Sequence, residues 1–248
     1  MILQRVKLII EYDGTAYAGW QRQENAPSVQ EEIEKAIIKF AQLSDVTLHV
    51  AGRTDAGVHA LGQVAHVDLP EKFDAPTVMK AINHYLQDQR ISILSAERVS
   101  QEFHARFSAR KRQYVYRVLN RRAKPTLDEH RVWHVPLSLD VQKMQKAAQL
   151  FVGQHDFTSF RTVHCQAKSP IKTLDLFEVI RKEESIEFWV EAPSFLHHQV
   201  RNMVGTLVDV GKGRWEIEEI TRILEAKDRS AAGPTAPPQG LYFVSVTY

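Results

Sequence analysis

Cysteine is almost missing from this chain: Cys165 is the only one in 248 residues. That excludes an intrachain disulfide and a cysteine-rich metal centre, and it fits a reducing cytoplasm, where the chain is expected to reside. Long apolar runs are missing too. The stretch 200–210 falls short of a bilayer span and carries Arg201 and Asp209, so no membrane partner is expected. The opening residues Met1, Ile2, Leu3, Gln4, Arg5, Val6 and Lys7 hold no extended apolar segment, so a secretory signal is not expected. Glycine loops of Walker or Rossmann spacing are absent, which leaves nucleotide cofactors without a phosphate cradle. Histidine is plentiful at 11, yet His164 and Cys165 with His197 and His198 match no common closed set of four zinc ligands; the expectation is no metal.

Charge of one sign is scarce in bulk, since 32 basic residues face 30 acidic ones for a net charge of +2. Its distribution says more. From Arg106 to Lys124 there are eight basic residues and no acidic one, with Phe107, Tyr114 and Tyr116 among them. Cations can neutralise phosphates while aromatic rings stack on unpaired bases. The same stretch also fits a solvated strand and turn. Apolar residues at 44% and charged residues at 25% are ordinary for globular proteins, and the length suits one large domain or two small ones.

Hydrophobic periodicity gives a series of elements. Residues 5–12 read as a strand ending at Asp13 and Gly14. Ser28 and Glu31 have capping-box spacing ahead of Val29, Ile33, Ala36, Ile37 and Phe40 at helical period. Strands follow near 46–51 and 63–69. A helix starts at 74–76 and carries Val78, Met79, Ile82 and Leu86, with Pro76 where a missing N–H costs least. A strand over 91–99 closes the first half as β-α-β-β-α-β. The second half repeats the order: a strand over 114–119, a helix over 140–152 stopped by Gly153, a hairpin of 171–180 and 186–191, helices over 199–210 and 216–225, and a strand over 242–247. The expected fold is α+β: two ferredoxin-like units, 1–105 and 106–248, with mainly antiparallel sheets lining a basic cleft. The proline-rich stretch 230–240 reads as an active-site or rim loop.

The halves differ most between their second and third strands. The second half has a tight polar turn there; the first has the long segment Ala51-Gly52-Arg53-Thr54-Asp55-Ala56-Gly57-Val58-His59-Ala60-Leu61-Gly62. Aspartate near glycine is a common turn former. Concentrating Arg, Thr, Asp and His in a loop held by a sheet also suits catalysis. If Asp55 is a buried reactive carboxylate, it needs a nearby cation to stay ionised. Arg201 is placed for that, at the edge of the stripe Val200, Met203, Val204, Leu207 and Val208, although an arginine there can equally snorkel to water. Tyr114 in its strand has the alternative of a simple cross-strand aromatic.

The run Gly52-Arg53-Thr54-Asp55-Ala56-Gly57-Val58-His59-Ala60 resembles the signature of TruA-type tRNA pseudouridine synthases. Tyr12-Asp13-Gly14-Thr15 with Gly19-Trp20-Gln21-Arg22-Gln23, Phe103-His104-Ala105-Arg106-Phe107-Ser108-Ala109 with Tyr114-Val115-Tyr116, and His155-Asp156-Phe157 with Ser159-Phe160 continue the likeness in family order. Phe195-Leu196-His197-His198-Gln199-Val200-Arg201-Asn202-Met203-Val204-Gly205 and Ala236-Pro237-Pro238 with Gly240-Leu241 complete it. Gln199 and Lys172 depart from it, where the family often has methionine and arginine.

The resemblance implies an isomerase, an intramolecular transferase turning uridine into pseudouridine without a cofactor at positions 38, 39 or 40 of the tRNA anticodon stem-loop. It implies that Asp55 is the catalytic carboxylate, that Arg201 pairs with it, that Arg53 helps displace the target nucleotide, that Tyr114 lies against the uracil, and that Leu241 supplies an apolar wall. It also implies a homodimer gripping the anticodon arm and elbow of one tRNA. Whether the carboxylate attacks the base, attacks the sugar or removes a sugar proton stays open. Two rivals are a non-catalytic RNA-binding module and a metal-dependent nuclease or hydrolase. The first would leave Asp55→Asn unimpaired; the second would be stopped by a chelator.

Overall fold

The structure is a computed structural model that describes residues 2–163 and 165–248. His164, considered above as a zinc ligand, lies outside the described residues. The chain folds as two compact units, Met1–Arg110 with Tyr242–Tyr248, and Lys111–Leu241. Both combine helices with mainly antiparallel sheet, which makes the class α+β.

The first unit runs β1 (Leu3–Tyr12), α1 (Val29–Ala41), β2 (His49–Val50), β3 (His59–Pro70), α2 (Ala75–Tyr85) and β4 (Ile91–Val99). Its strand order is β4-β1-β3-β2, antiparallel throughout. On β1, Val6, Leu8, Ile10 and Tyr12 alternate inward and are buried, as a period of two requires when one face is covered. Helix α1 buries Val29, Ile33, Ala36 and Ile37, and its Glu31 N–H donates to the Ser28 hydroxyl at 3.3 Å. Helix α2 buries Val78 and Ile82 behind an Asp74 cap that accepts from Thr77 N–H at 2.8 Å. The periodic residues thus form the core, and the capping residues set where each helix begins.

The second unit carries β5 (Lys111–Leu119), β6 (Trp133–His134), α3 (Val141–Gln149), β7 (Gly153–Asp156), β8 (Ile171–Leu174), β9 (Leu176–Lys182), β10 (Ser185–Ala192), α4 (Gln199–Gly211) and α5 (Glu219–Ala226). Strand β10 pairs antiparallel with both β5 and β9. Short β6 runs parallel to the end of β5, and β7 pairs with β8 in a separate ribbon. The strand read over 171–180 is therefore two strands that break at Asp175.

Strand β11 (Leu241–Thr247) closes the chain. The sequence reading gives it to the second series, but Tyr242 and Phe243 pair in parallel with His59 and Ala60 of β3, and Tyr242–Tyr248 counts with the first unit. Strand β2 covers only two residues of the long β3, so β3 keeps edge positions for another strand. A parallel partner arrives from afar in sequence, and no local turn announces it.

Candidate active site: an aspartate loop and a buried helix

In the first unit, the loop between β2 and β3 is fastened residue by residue. The Tyr12 hydroxyl and Thr54 Oγ1 share a hydrogen bond of 2.7 Å. Tyr12 is wholly buried, and burial pushes its phenol up to about 12. A buried hydroxyl without a partner would be costly, so the pair fixes Thr54 firmly. Thr54 also accepts from Trp20 N–H through its carbonyl at 3.1 Å. Gly19 makes that approach possible: its φ is +106°, and a Cβ there would stand 2.6 Å from the Thr54 carbonyl oxygen. On the far side, Gln63 Nε2 donates to the Gly52 carbonyl at 2.8 Å, and Gly57 N–H donates to Tyr17 at 3.3 Å. Asp55 lies between these fastenings, half-buried, in a turn closed by Val58 N–H donating to its carbonyl at 3.2 Å. Neighbouring Arg53 is exposed. This gives a carboxylate on a stiffened loop with an open cation two residues away, a suitable arrangement for nucleophilic or general-base chemistry.

In the second unit, every residue of α4 is buried except Arg201. The sequence reading gives α4 one apolar stripe with Arg201 at its edge; the structure covers the helix all round, and the half-buried arginine is the single departure. Two of its buried polar residues are bonded to neighbouring segments. Asn202 Nδ2 donates to the Phe160 carbonyl at 2.8 Å, and the Thr206 hydroxyl accepts from Gly233 N–H at 3.0 Å. Residues 229–240 lie along this helix. Arg229 reaches Asn202 Oδ1 at 3.1 Å and Thr235 Oγ1 at 3.0 Å, and burial lowers its guanidinium from the usual value. Arg201 Nε donates to the Ala236 carbonyl at 2.8 Å, while Ala236 N–H donates to the Arg201 carbonyl at 3.0 Å. The proline-rich loop and the arginine are thus mutually fixed.

Of the residues singled out in the sequence, Arg53 and Asp55 fall in the first unit and Tyr114, Arg201 and Leu241 in the second. Tyr114 sits on β5 with its ring edge-on to Phe195, centroids 5.0 Å apart. Leu241 is buried where β11 starts. The basic run needs revision. Tyr116 is fully buried and donates to the Pro237 carbonyl at 2.7 Å. Lys111 pairs with Glu191 at 2.9 Å, Arg121 with Glu184 at 2.7 Å, and Arg117 with its cross-strand neighbour Glu187 at 3.6 Å. Antiparallel pairing brings in acids from β10 and from the turn before it that the linear run cannot reveal. Phe107, at 77% exposure, is the aromatic of that run left on display. The sequence reading did not anticipate Tyr12 and Trp20 as loop anchors, or Asn202, Arg229 and Thr235 as helix anchors. Glycines beside Trp20 and buried polar residues inside an apolar helix were the available signals.

Comparison with known proteins gives a consistent result. Residues 8–108 and 147–248 match a family model described as tRNA pseudouridine synthase. The chain is 54% identical over 244 residues to a tRNA pseudouridine synthase A of Rhodospirillum rubrum, covering 98% of this chain and 87% of that protein. It is also 54% identical over 246 residues to that of Rhodospirillum centenum, covering 99% and 100%. With the enzyme of Ehrlichia canis the identity is 54% over 245 residues, covering 98% and 100%.

Proposed function

We propose, from the premise that this chain belongs to the tRNA pseudouridine synthase family, that Asp55 is the carboxylate that carries its reaction. The enzyme is an isomerase that converts uridine in tRNA to pseudouridine. The uracil N1–C1′ bond breaks, the base turns, and a C5–C1′ bond forms as the C5 proton leaves and N1 gains one. Atoms and electrons balance within the nucleotide, so the chemistry calls for no oxidant or co-reactant. A carboxylate can divide such a rearrangement into easier steps by covalent attack or by taking a proton.

The observation that carries the assignment is the fastening of Thr54. Its hydroxyl and its carbonyl are both held from other segments, so the adjoining Asp55 is presented in a fixed position, as a reacting group must be. In this reading Arg201 supplies the positive charge that keeps Asp55 ionised as the base enters. Arg53 helps extrude the target nucleotide, at a cost of a few kcal/mol for a stacked base. Tyr114 lies against the uracil and Leu241 closes an apolar wall. The target is uridine 38, 39 or 40 of the anticodon arm, and a cytoplasmic homodimer grips that arm and the elbow of the same tRNA.

The test is to incubate wild type and Asp55→Asn with unmodified tRNA in EDTA and to map pseudouridine by its carbodiimide adduct. Wild type should modify the RNA, and the variant should be slower by at least about 10³-fold with an unchanged melting temperature. Equal modification by both proteins removes Asp55 from the chemistry. Loss of wild-type activity in EDTA would point to a metal-dependent reaction instead.

A further inference from the structure

The first unit contains a continuous chain of ring contacts away from the aspartate loop. Tyr248 meets Phe103 with centroids 4.8 Å apart, and Phe103 meets His66 at 6.0 Å. His66 stacks on His49 at 4.8 Å and contacts His104 edge-on at 4.7 Å, and His104 reaches Phe107 at 4.4 Å. The middle of this series is buried, with His66 almost inaccessible. Tyr248 and Phe103 are half-buried on one side of it, and on the other His49 and Phe107 are exposed with His104 half-buried between them. Burial and the positive charge of Arg5 hold His66 down to about 4; it is neutral at physiological pH and does not repel the neighbouring imidazoles.

The turn that presents Phe107 is rigid. Arg5, itself held by Asp68 on the opposite strand, donates to the carbonyls of Gln101 at 2.6 Å and Phe103 at 2.8 Å. Ala105 N–H donates to His66 Nδ1 at 3.1 Å, and the Tyr248 hydroxyl donates to the Ala105 carbonyl at 2.9 Å. Ser108 N–H closes the turn on the His104 carbonyl at 2.9 Å. A lone exposed phenylalanine needs no explanation. Here, however, an exposed ring is backed by further rings, fixed by five hydrogen bonds to its turn, and accompanied by the Arg106 guanidinium 5.9 Å from its centroid.

We propose that His49, His104 and Phe107 form a platform on which an unpaired base of the RNA substrate stacks, with Arg106 contacting an adjacent phosphate. The exposed face of Phe107, with a cation beside it and the tilted rings of His104 and His49 next to it, suits a nucleobase joined to a phosphate, and an ordered ring loses little freedom on binding. This inference rests on the RNA-modifying reading above and adds a contact distinct from the reacting uridine.

The test measures dissociation constants for unmodified tRNA across a salt series, together with steady-state modification. Phe107→Ala should raise Kd by about 5- to 100-fold, the worth of one stacked base, with the loss appearing mainly in KM. Phe107→Trp should restore binding, and His49→Ala should give a smaller loss. Arg106→Ala should flatten the dependence of log Kd on log salt by about one contact, whereas Phe107→Ala should leave that slope alone. An unchanged Kd for Phe107→Ala in an enzyme that still makes pseudouridine overturns the platform and spares the catalytic assignment. A wild type that makes no pseudouridine but binds RNA through Phe107 overturns the catalytic reading alone. Conversion of a dimer to a monomer by Phe107→Ala assigns the patch to self-association and also overturns the proposal.

Discussion

The aspartate loop and helix α4 hold a charged side chain by opposite means. The loop has little regular backbone of its own and is fixed by scattered bonds from Tyr12, Tyr17, Trp20 and Gln63. Helix α4 fixes Arg201 through its own ladder and by burying every other position. Losing one of several fastenings should shift the loop while the unit stays folded. A disturbance of the helix should instead propagate into the core of its unit. Variants of the loop are therefore expected to affect rate more than stability, and variants of the helix the reverse.

The largest effect on stability is expected on the helix side, at Gly205. A Cβ there would lie 1.7 Å from the Pro234 carbonyl oxygen. Gly205 lies in the helix ladder, and Pro234 is flanked by Gly233 and Ala236, whose N–H groups donate to Thr206 Oγ1 and to the Arg201 carbonyl, so neither segment can give cheaply. Gly205→Ala should destabilise by about 3 kcal/mol, at the upper end for overpacking. For a chain of this size that corresponds to a melting temperature lower by roughly 10 °C. A native melting temperature would show that residues 229–240 are not seated on α4, and that the helix is no more rigidly held than the loop.

On the loop side the decisive variant is Tyr12→Phe, which removes one oxygen and leaves Thr54 without its 2.7 Å partner. The stability loss should be about 1–2 kcal/mol. Displacement of the adjacent aspartate should cost roughly ten- to a hundredfold in kcat, with little change in KM. An alkaline signature accompanies this. The buried phenol ionises near 12 in the folded chain rather than at its usual value of 10. Its contribution to stability is thus complete below pH 10 and lost as pH rises through 12, because the unfolded chain releases the proton first. The phenylalanine variant lacks that loss, so the stability gap between the two proteins should narrow over that window. A variant with normal kcat and reduced stability would place Tyr12 among core residues with no part in positioning Asp55.

The same contrast explains what could be read in advance. Helices α1 and α2 were legible because Ser28 and Asp74 mark their starts and Val29, Ile33, Val78 and Ile82 recur at helical period. Strand β4 was legible by the same local logic, whereas the residues around Asp55 read by themselves as a common aspartate–glycine turn, and the resemblance of 52–60 to the pseudouridine synthase signature is what singled Asp55 out. The partners of β11 and the anchors of Thr54 were not legible. Tyr12 lies 42 residues from Thr54, and no period or turn signal links them. The ion pairs that neutralise Lys111, Arg117 and Arg121 were hidden for a related reason: a strand's charges are balanced across the sheet, by residues a linear count passes over.

The smallest expected effect is at Gln199, where α4 begins and where the sequence departs from the methionine frequent in similar proteins. Its Oε1 accepts from Leu196 N–H at 2.8 Å, fixing the turn that leads into the helix, whereas its buried Nε2 has no hydrogen-bond partner among the described residues. One satisfied acceptor, worth about 1 kcal/mol, is therefore set against one orphaned donor costing about 1–3 kcal/mol. A methionine has similar length, fills irregular space and carries no donor to satisfy. Gln199→Met should thus leave stability within about 1 kcal/mol of the parent, with the melting temperature equal or up to about 3 °C higher. A drop larger than this would mean that the Leu196 bond governs the start of α4. The helix would then depend on a discrete side-chain fastening much as the aspartate loop does, and the two regions would differ in degree alone.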